Sequence, residues 1–211
     1  FFMIKNKPIL IILAGGKSSR MGFPKGLLKY QNNFWLLSQI ESFVGNEVYI
    51  GLGFDYQKYY DAIPWLEKAV EKQVVFKGKK VKVILNQTPE FGLFSTSFAV
   101  LRKLDLERID KNVLILPIDV PLLNAKGQEK LIFDNHTISI PTYKNKKGHP
   151  IKLAPTFWKS LLELDITDVN SRLDFQIKKR NASEISFIET NDASILKNLN
   201  TPKEWQEFTP I

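Results

Sequence analysis

Residues 8–14, Pro8-Ile9-Leu10-Ile11-Ile12-Leu13-Ala14, form a short run that is apolar throughout and opens directly into a glycine-rich loop. A run of this length with no polar alternation reads as a strand buried on both faces. Such strands occur in sheets covered by helices on either side. Further runs at 47–52, 81–85 and 113–116 have the same character, and stretches with helical spacing lie between them, at about 33–44, 56–72, 94–104 and 124–132. Strands alternating with helices imply crossover units and a mostly parallel sheet. The expected architecture is α/β: a three-layer α/β/α arrangement filling one domain over residues 1–211.

The later half is less regular. Residues 137–141, 150–153 and 185–188 read as strands, and 155–164, 170–179 and 201–208 as helices. Thr201-Pro202-Lys203-Glu204 suits a helix start, with threonine at the cap, proline in the first turn and an acid near the positive end. No internal repeat, low-complexity tract or linker interrupts the chain. No stretch reaches 18 consecutive apolar residues, so no membrane span is expected. Residues 1–8 lack the apolar core of a signal peptide, and Met3 reads as the natural first residue.

The chain has no cysteine, which excludes disulfides, zinc ribbons, iron–sulfur clusters and thiol catalysis. That fits a reducing, cytoplasmic location. Two histidines are too few for a three-histidine metal site. Thirty Lys and Arg against 22 Asp and Glu leave a formal charge of +8. An excess of this kind permits nucleic acid, an acidic membrane surface or a small anionic ligand as partner. The clusters at 77–80 and 144–147 are short and turn-like, and read as solvated surface.

The loop after the first strand narrows the choice. It runs Gly15-Gly16-Lys17-Ser18-Ser19-Arg20-Met21-Gly22-Phe23-Pro24-Lys25-Gly26. Four glycines let backbone approach a ligand closely, and three cations add positive charge. A loop at the carboxyl end of the first strand of an open α/β sheet is where ligands bind. These features favour a phosphate-bearing ligand held by backbone N–H groups, Lys and Arg. The spacing matches neither the dinucleotide fingerprint nor the P-loop.

A second element, Leu114-Ile115-Leu116-Pro117-Ile118-Asp119-Val120-Pro121, ends an apolar strand in a carboxylate flanked by prolines. An acid at that sheet edge, beside phosphates, is a usual Mg²⁺ ligand. A third, from Asn86 through Gly92 to Ser97, joins a strand to a helix, with Ser95 and Ser97 as candidate caps.

Leu13-Ala14-Gly15-Gly16, Ser18-Ser19-Arg20-Met21-Gly22 and Pro24-Lys25 together resemble the loop signature of the molybdenum cofactor guanylyltransferases and cytidylyltransferases, the molybdopterin nucleotidyltransferases. Pro24 stands where members usually carry Asp. The resemblance extends in order through 82–98, 113–122, Gly148-His149-Pro150-Ile151 and Asn198-Leu199-Asn200-Thr201-Pro202.

It implies a Rossmann-like nucleotidyltransferase fold and transfer of a nucleoside monophosphate from a triphosphate to a phosphorylated acceptor such as molybdopterin. Leu13, Ala14, Gly15, Gly16, Lys17, Ser19 and Lys25 would wrap the triphosphate, and Arg20 and Lys25 would contact its phosphates. Asp119 would bind Mg²⁺, with Asn200 beside it. Asn86 and Gly92 would lie near the base and ribose, and His149 would line the acceptor pocket. Arg172 resembles, more weakly, an acceptor-phosphate ligand. Asn200, the paired Gly15 and Gly16, and Lys25-Gly26-Leu27-Leu28 favour GTP, whereas Asn86 points to CTP. Arg20, Lys25 and Asp119 are the expected catalytic residues, and a cofactor-delivery or acceptor protein is a further expected partner. Alternatives are a cytidylyltransferase on molybdopterin, a phosphosugar or a phosphoalcohol, and a non-catalytic nucleotide-binding protein. Nucleic-acid binding lacks the interleaved aromatic and basic residues that would support it.

Overall fold

The computed structural model describes residues 7–209. The Met3 reading and most of the leader stretch lie outside the described residues, as do the last two positions of the 1–211 domain. In chain order the elements are β1 (Ile9–Ala14), β2 (Lys29–Tyr30), β3 (Asn33–Phe34), α1 (Trp35–Ser42), β4 (Glu47–Leu52), α2 (Tyr56–Ala62), α3 (Trp65–Glu71), β5 (Val74–Phe76), β6 (Lys79–Leu85), α4 (Gly92–Leu106), β7 (Val113–Pro117), α5 (Ala125–Phe133), β8 (Ile138–Tyr143), β9 (Lys146–Lys147), β10 (Ile151–Leu153), α6 (Pro155–Trp158), α7 (Leu173–Lys178), β11 (Ile185–Glu189) and α8 (Pro202–Phe208), with short 3₁₀ turns between.

The main sheet has nine strands in the order β11-β8-β10-β7-β1-β4-β6-β5, with β9 paired to β8. Its long ladders, β7-β1-β4-β6 and β11-β8, are parallel. The antiparallel ladders span two or three residues each. β1 lies between β7 and β4, and both of its faces are covered. Leu10, Ile12 and Ala14 pack with side chains of α1, α2 and α3. Ile9, Ile11 and Leu13 pack with α4, α6 and Ile177 of α7. This two-sided burial makes the strand apolar throughout, and it gives the expected three-layer α/β/α fold. Truncating a core residue such as Ile11 to Ala typically costs about 2–5 kcal/mol.

The differences from the sequence expectations have local causes. The helix expected over 56–72 breaks into α2 and α3 at Pro64, which fixes its own φ and lacks an N–H. The segment expected as helix from 33 starts as the short β2–β3 hairpin, and α1 begins at Trp35. The 155–164 and 170–179 helices are mixtures of α and 3₁₀ turns. The basic cluster at 77–80 is half strand, and Lys79 donates to the Gly45 carbonyl at 3.0 Å. Among the described residues, no helix is long and apolar enough to cross a membrane.

Two devices fix the carboxyl edge of the sheet. Buried Gln39 of α1 donates to the Val120 carbonyl at 2.8 Å and accepts from the Leu122 N–H at 3.0 Å, while Trp35 donates to the Ile118 carbonyl at 2.7 Å. The segment after β7 is thereby held from below. Gln39→Met keeps the volume but strands the Val120 carbonyl and the Leu122 N–H. A buried group left unpaired costs about 1–3 kcal/mol, so urea unfolding of this variant is expected to show a loss of at least that size.

At the chain end, α8 is pinned by aromatic rings. Trp205 meets Trp35 at 5.4 Å edge-on, and Phe208 stacks on Tyr30 at 5.8 Å. The turn that carries Asn200 is thus brought to the β7 edge.

Candidate functional site

β1 delivers the loop at a tightly packed corner. Leu13 and Ala14 are buried at the strand end. A Cβ on Gly15 would lie 2.6 Å from Thr96 Oγ1, and one on Gly53 would lie 2.7 Å from the Gly15 carbonyl oxygen. That carbonyl accepts from the Phe54 N–H at 3.1 Å. Gly16, by contrast, faces open space. The chain then folds on itself. The Ser18 carbonyl accepts from the N–H groups of Met21 and Gly22, and Gly22 adopts φ +74°, a conformation glycine takes without strain. Met21 is buried and anchors the turn. Lys17, Ser19 and Arg20 stay exposed around it. After Pro24, a 3₁₀ turn places Lys25 inward, where the Gly26 N–H donates to the Tyr59 hydroxyl at 3.2 Å.

Three of the sequence-predicted residues meet. The Lys25 ammonium lies 3.0 Å from Asp119 Oδ2 and 2.6 Å from Asn200 Oδ1. Lys25 and Asp119 are 13% and 20% exposed, so the pair is shielded yet open to a ligand. The backbone of each segment is fixed independently. The Ile118 N–H donates to the Leu13 carbonyl, and the Leu199 N–H to the Asp119 carbonyl at 2.8 Å. Thr201 and Glu204 form a capping box at the start of α8, and Glu204 also accepts from the Asn200 N–H at 2.9 Å. The Thr201 hydroxyl first, then the Asn200 N–H, hold the Glu204 carboxyl below the ordinary glutamate range, and the charge of Arg20 adds to this. The cap is therefore complete above that range and weakens as the pH falls through it.

Asn86 is buried in the turn from β6 to α4 with all its hydrogen-bonding positions taken. Its Nδ2 donates to Ser95 Oγ at 2.8 Å and Thr96 Oγ1 at 3.1 Å, and its Oδ1 accepts from the N–H and hydroxyl of Thr88. Ser95 and Ser97 were expected as helix caps. They sit inside α4 instead, their hydroxyls donating back to the carbonyls of Gly92 and Leu93, because the helix starts earlier, at Gly92. Gly92 itself adopts φ +83°.

His149 lies against a cavity of about 610 Å³ that it shares with Leu13, Gly92, Pro117 and Arg172. Its ring lies by the Ile115 carbonyl. Burial pushes its pKa below the ordinary histidine value, against the opposing pull of that carbonyl and of Asp119. Among the described residues, its Nδ1 is buried without a partner. Arg172 is exposed on the cavity rim and pairs with Asp174 at 3.1 Å.

Gln39, Tyr59, Thr96 and Gly53 support the site and escape the sequence reading. Gly53 alone left a trace, as the second glycine of Gly51-Leu52-Gly53 at the end of β4.

A glycine-rich loop, a lysine and a carboxylate gathered at the carboxyl edge of a mostly parallel sheet place the chain among the Rossmann-like nucleotidyltransferase folds. A model of the MobA-like NTP transferase domain matches residues 10–179, and the chain belongs to that family. A nucleotidyl transferase from Methanothermobacter superposes with a TM-score of 0.70 at 16% identity, covering 97% of this chain and 96% of that one. The molybdopterin-guanine dinucleotide biosynthesis protein A of Archaeoglobus fulgidus superposes at 0.66 and 14% identity, covering 95% and 96%. The Rv0371C protein of Mycobacterium tuberculosis H37Rv, solved as a complex with manganese, superposes at 0.64 and 16% identity, covering 96% and 98%. At these identities the likeness is one of fold. No curated protein sequence matches.

Proposed function

We propose that the chain transfers a nucleoside monophosphate from a nucleoside triphosphate to a phosphorylated acceptor, releasing pyrophosphate. The convergence of Lys25, Asp119 and Asn200 from positions far apart in the chain carries this reading. In the proposed reaction an acceptor phosphate oxygen attacks the α-phosphorus, and the bond to the β-phosphate oxygen breaks. The acceptor phosphate is largely ionised at neutral pH, its second pKa being about 6, so no general base is needed. The protein's contribution is in-line positioning and charge neutralisation. Gly15 and Gly16 bring backbone close to the phosphates, while Lys17, Ser19, Arg20 and Lys25 offset their charge. On the resemblance, the turn that Asn86 braces, with Gly92, would lie near the base and ribose.

Asp119 and Asn200 offer a carboxylate and an amide oxygen that already grip one cation, the Lys25 ammonium, and this donor set fits Mg²⁺ or Mn²⁺. Among the described residues no group of three or more His, Asp or Glu side chains gathers, so triphosphate oxygens would complete the shell. Such an ion, when bound, neutralises phosphate charge.

GTP is the favoured nucleotide, on the resemblance of Asn200, the Gly15–Gly16 pair and the residues following Lys25. The resemblance supplies molybdopterin as an acceptor. The apolar cavity around His149 favours a second, a phosphoalcohol. The test is incubation of each nucleoside triphosphate and Mg²⁺ with molybdopterin and, separately, with a phosphoalcohol, with pyrophosphate and the nucleotidylated product read by mass spectrometry. Product from GTP well in excess of that from CTP is expected. Product from CTP alone would reassign the base, and no product from any triphosphate with either acceptor class would end the transferase reading.

A further inference from the structure

The cavity beside the Lys25 cluster has a chemistry of its own. Leu13, Phe94, Ile115, Ile140, Ile151 and Ile177 line it. Two polar side chains without formal charge join them, Ser97 and His149. The Ser97 hydroxyl is already donated to the Leu93 carbonyl at 3.2 Å. His149 Nδ1 is buried and, among the described residues, unpartnered. Lys147, Arg172, Asp174 and Lys178 also border the cavity, and all four are exposed, which places them at its rim. Three cations against one acid leave the mouth positive, which draws in an anion. Leu13 and Pro117 place part of the wall two residues from Gly15 and Asp119, so a phosphate lodged there would adjoin the Lys25 cluster.

We infer that the cavity holds the unreacting body of the acceptor. It selects a phosphate monoester whose body is compact and mostly apolar, with one hydrogen-bonding group for His149, over an equally large polyhydroxylated one. The room is ample for such a body, since pockets for small ligands run to about 300–1,000 Å³. A sugar of the same size would bury several hydroxyls where the interior side chains offer little, the Nδ1 of His149 and the acceptor lone pairs of Ser97. Each polar group left unpaired costs about tenfold in affinity. Calling the ligand the acceptor rests on the transferase reading, whereas the cavity's preference does not.

Calorimetric titration of the full chain, without nucleotide, compares 1-naphthyl phosphate with glucose 1-phosphate. The two carry the same charged group and differ in the polarity of the body. 1-Naphthyl phosphate is expected to bind at least about tenfold more tightly. Leu93 lines the cavity and is half exposed, so Leu93→Asp tests the wall without threatening the core. It should weaken 1-naphthyl phosphate at least about tenfold with an unchanged melting temperature. Val169→Asp, on an exposed residue that does not line the cavity, should do nothing. Equal or tighter binding of glucose 1-phosphate, binding of neither compound, indifference to Leu93→Asp, or displacement of 1-naphthyl phosphate by GTP would each overturn the inference. If 1-naphthyl phosphate binds as expected but no triphosphate binds, the cavity's preference stands and the transferase reading falls. The converse result keeps the transferase and removes this acceptor class.

Discussion

Asp119→Ala is expected to lower pyrophosphate release at least about 10²–10³-fold, the usual loss when one charge-stabilising contact is removed. The variant should stay folded. The ion pair that Asp119 makes with Lys25 is part-buried, the two side chains being 20% and 13% exposed. Its loss is expected to cost about 1–3 kcal/mol, between the about 0–1 of an exposed pair and the about 3–5 of a buried one, or about 2–12 °C in a chain of this length. The surrounding backbone does not depend on the carboxylate, because the Asp119 carbonyl and the Ile118 N–H are held by Leu199 and Leu13. A coupled pyrophosphate assay with scanning calorimetry on the same preparation separates the two effects. Near-parental release in a folded variant would remove Asp119 from the reaction.

Lys25→Met is expected to show two effects of opposite sign. Turnover and triphosphate affinity fall, the former by a similar 10²–10³-fold. Binding of Mn²⁺ in the absence of nucleotide becomes tighter, by about tenfold or more, because the ammonium at present occupies the oxygens of Asp119 and Asn200 that an ion would use. On the proposed reading, nucleotide phosphates would draw Lys25 away from Asp119 Oδ2 and Asn200 Oδ1 before a metal takes both oxygens. Electron paramagnetic resonance titration of free Mn²⁺ reads the second effect directly. Unchanged or weaker Mn²⁺ binding in the variant would mean that ammonium and metal do not compete for the same place.

The sheet was readable from the chain wherever burial on both faces left no polar residue, as in β1 and β7. The loop was readable because glycines and cations at that position have few other uses, and Asp119 because a carboxylate at the end of an apolar strand stands out. The meeting of Lys25 with Asn200, 175 residues later, was not written in any spacing. It depends on Trp205 and Phe208 docking α8 against Trp35 and Tyr30, which pattern alone does not specify. Asn86 was readable as a polar residue in the right turn. That its amide would be consumed by Thr88, Ser95 and Thr96 follows from where α4 begins, and a cap position is easily misplaced by a turn. The cavity draws on separated stretches of chain from Leu13 to Lys178, so its apolar character emerges only once they are assembled.

The central claim is that triphosphate and divalent ion bind together in a way that depends on Asp119. The measurement is the melting temperature of the parent and of Asp119→Ala with each of the four nucleoside triphosphates, with and without Mg²⁺. A ligand at a hundred times its dissociation constant adds about 2.7 kcal/mol, which is about 5–10 °C for a chain of this length. The parent is predicted to gain that much with GTP and Mg²⁺ together and much less with GTP alone, and Asp119→Ala to lose the Mg²⁺-dependent part. A parent that no triphosphate stabilises, or an Asp119→Ala variant that keeps the whole shift, would contradict it.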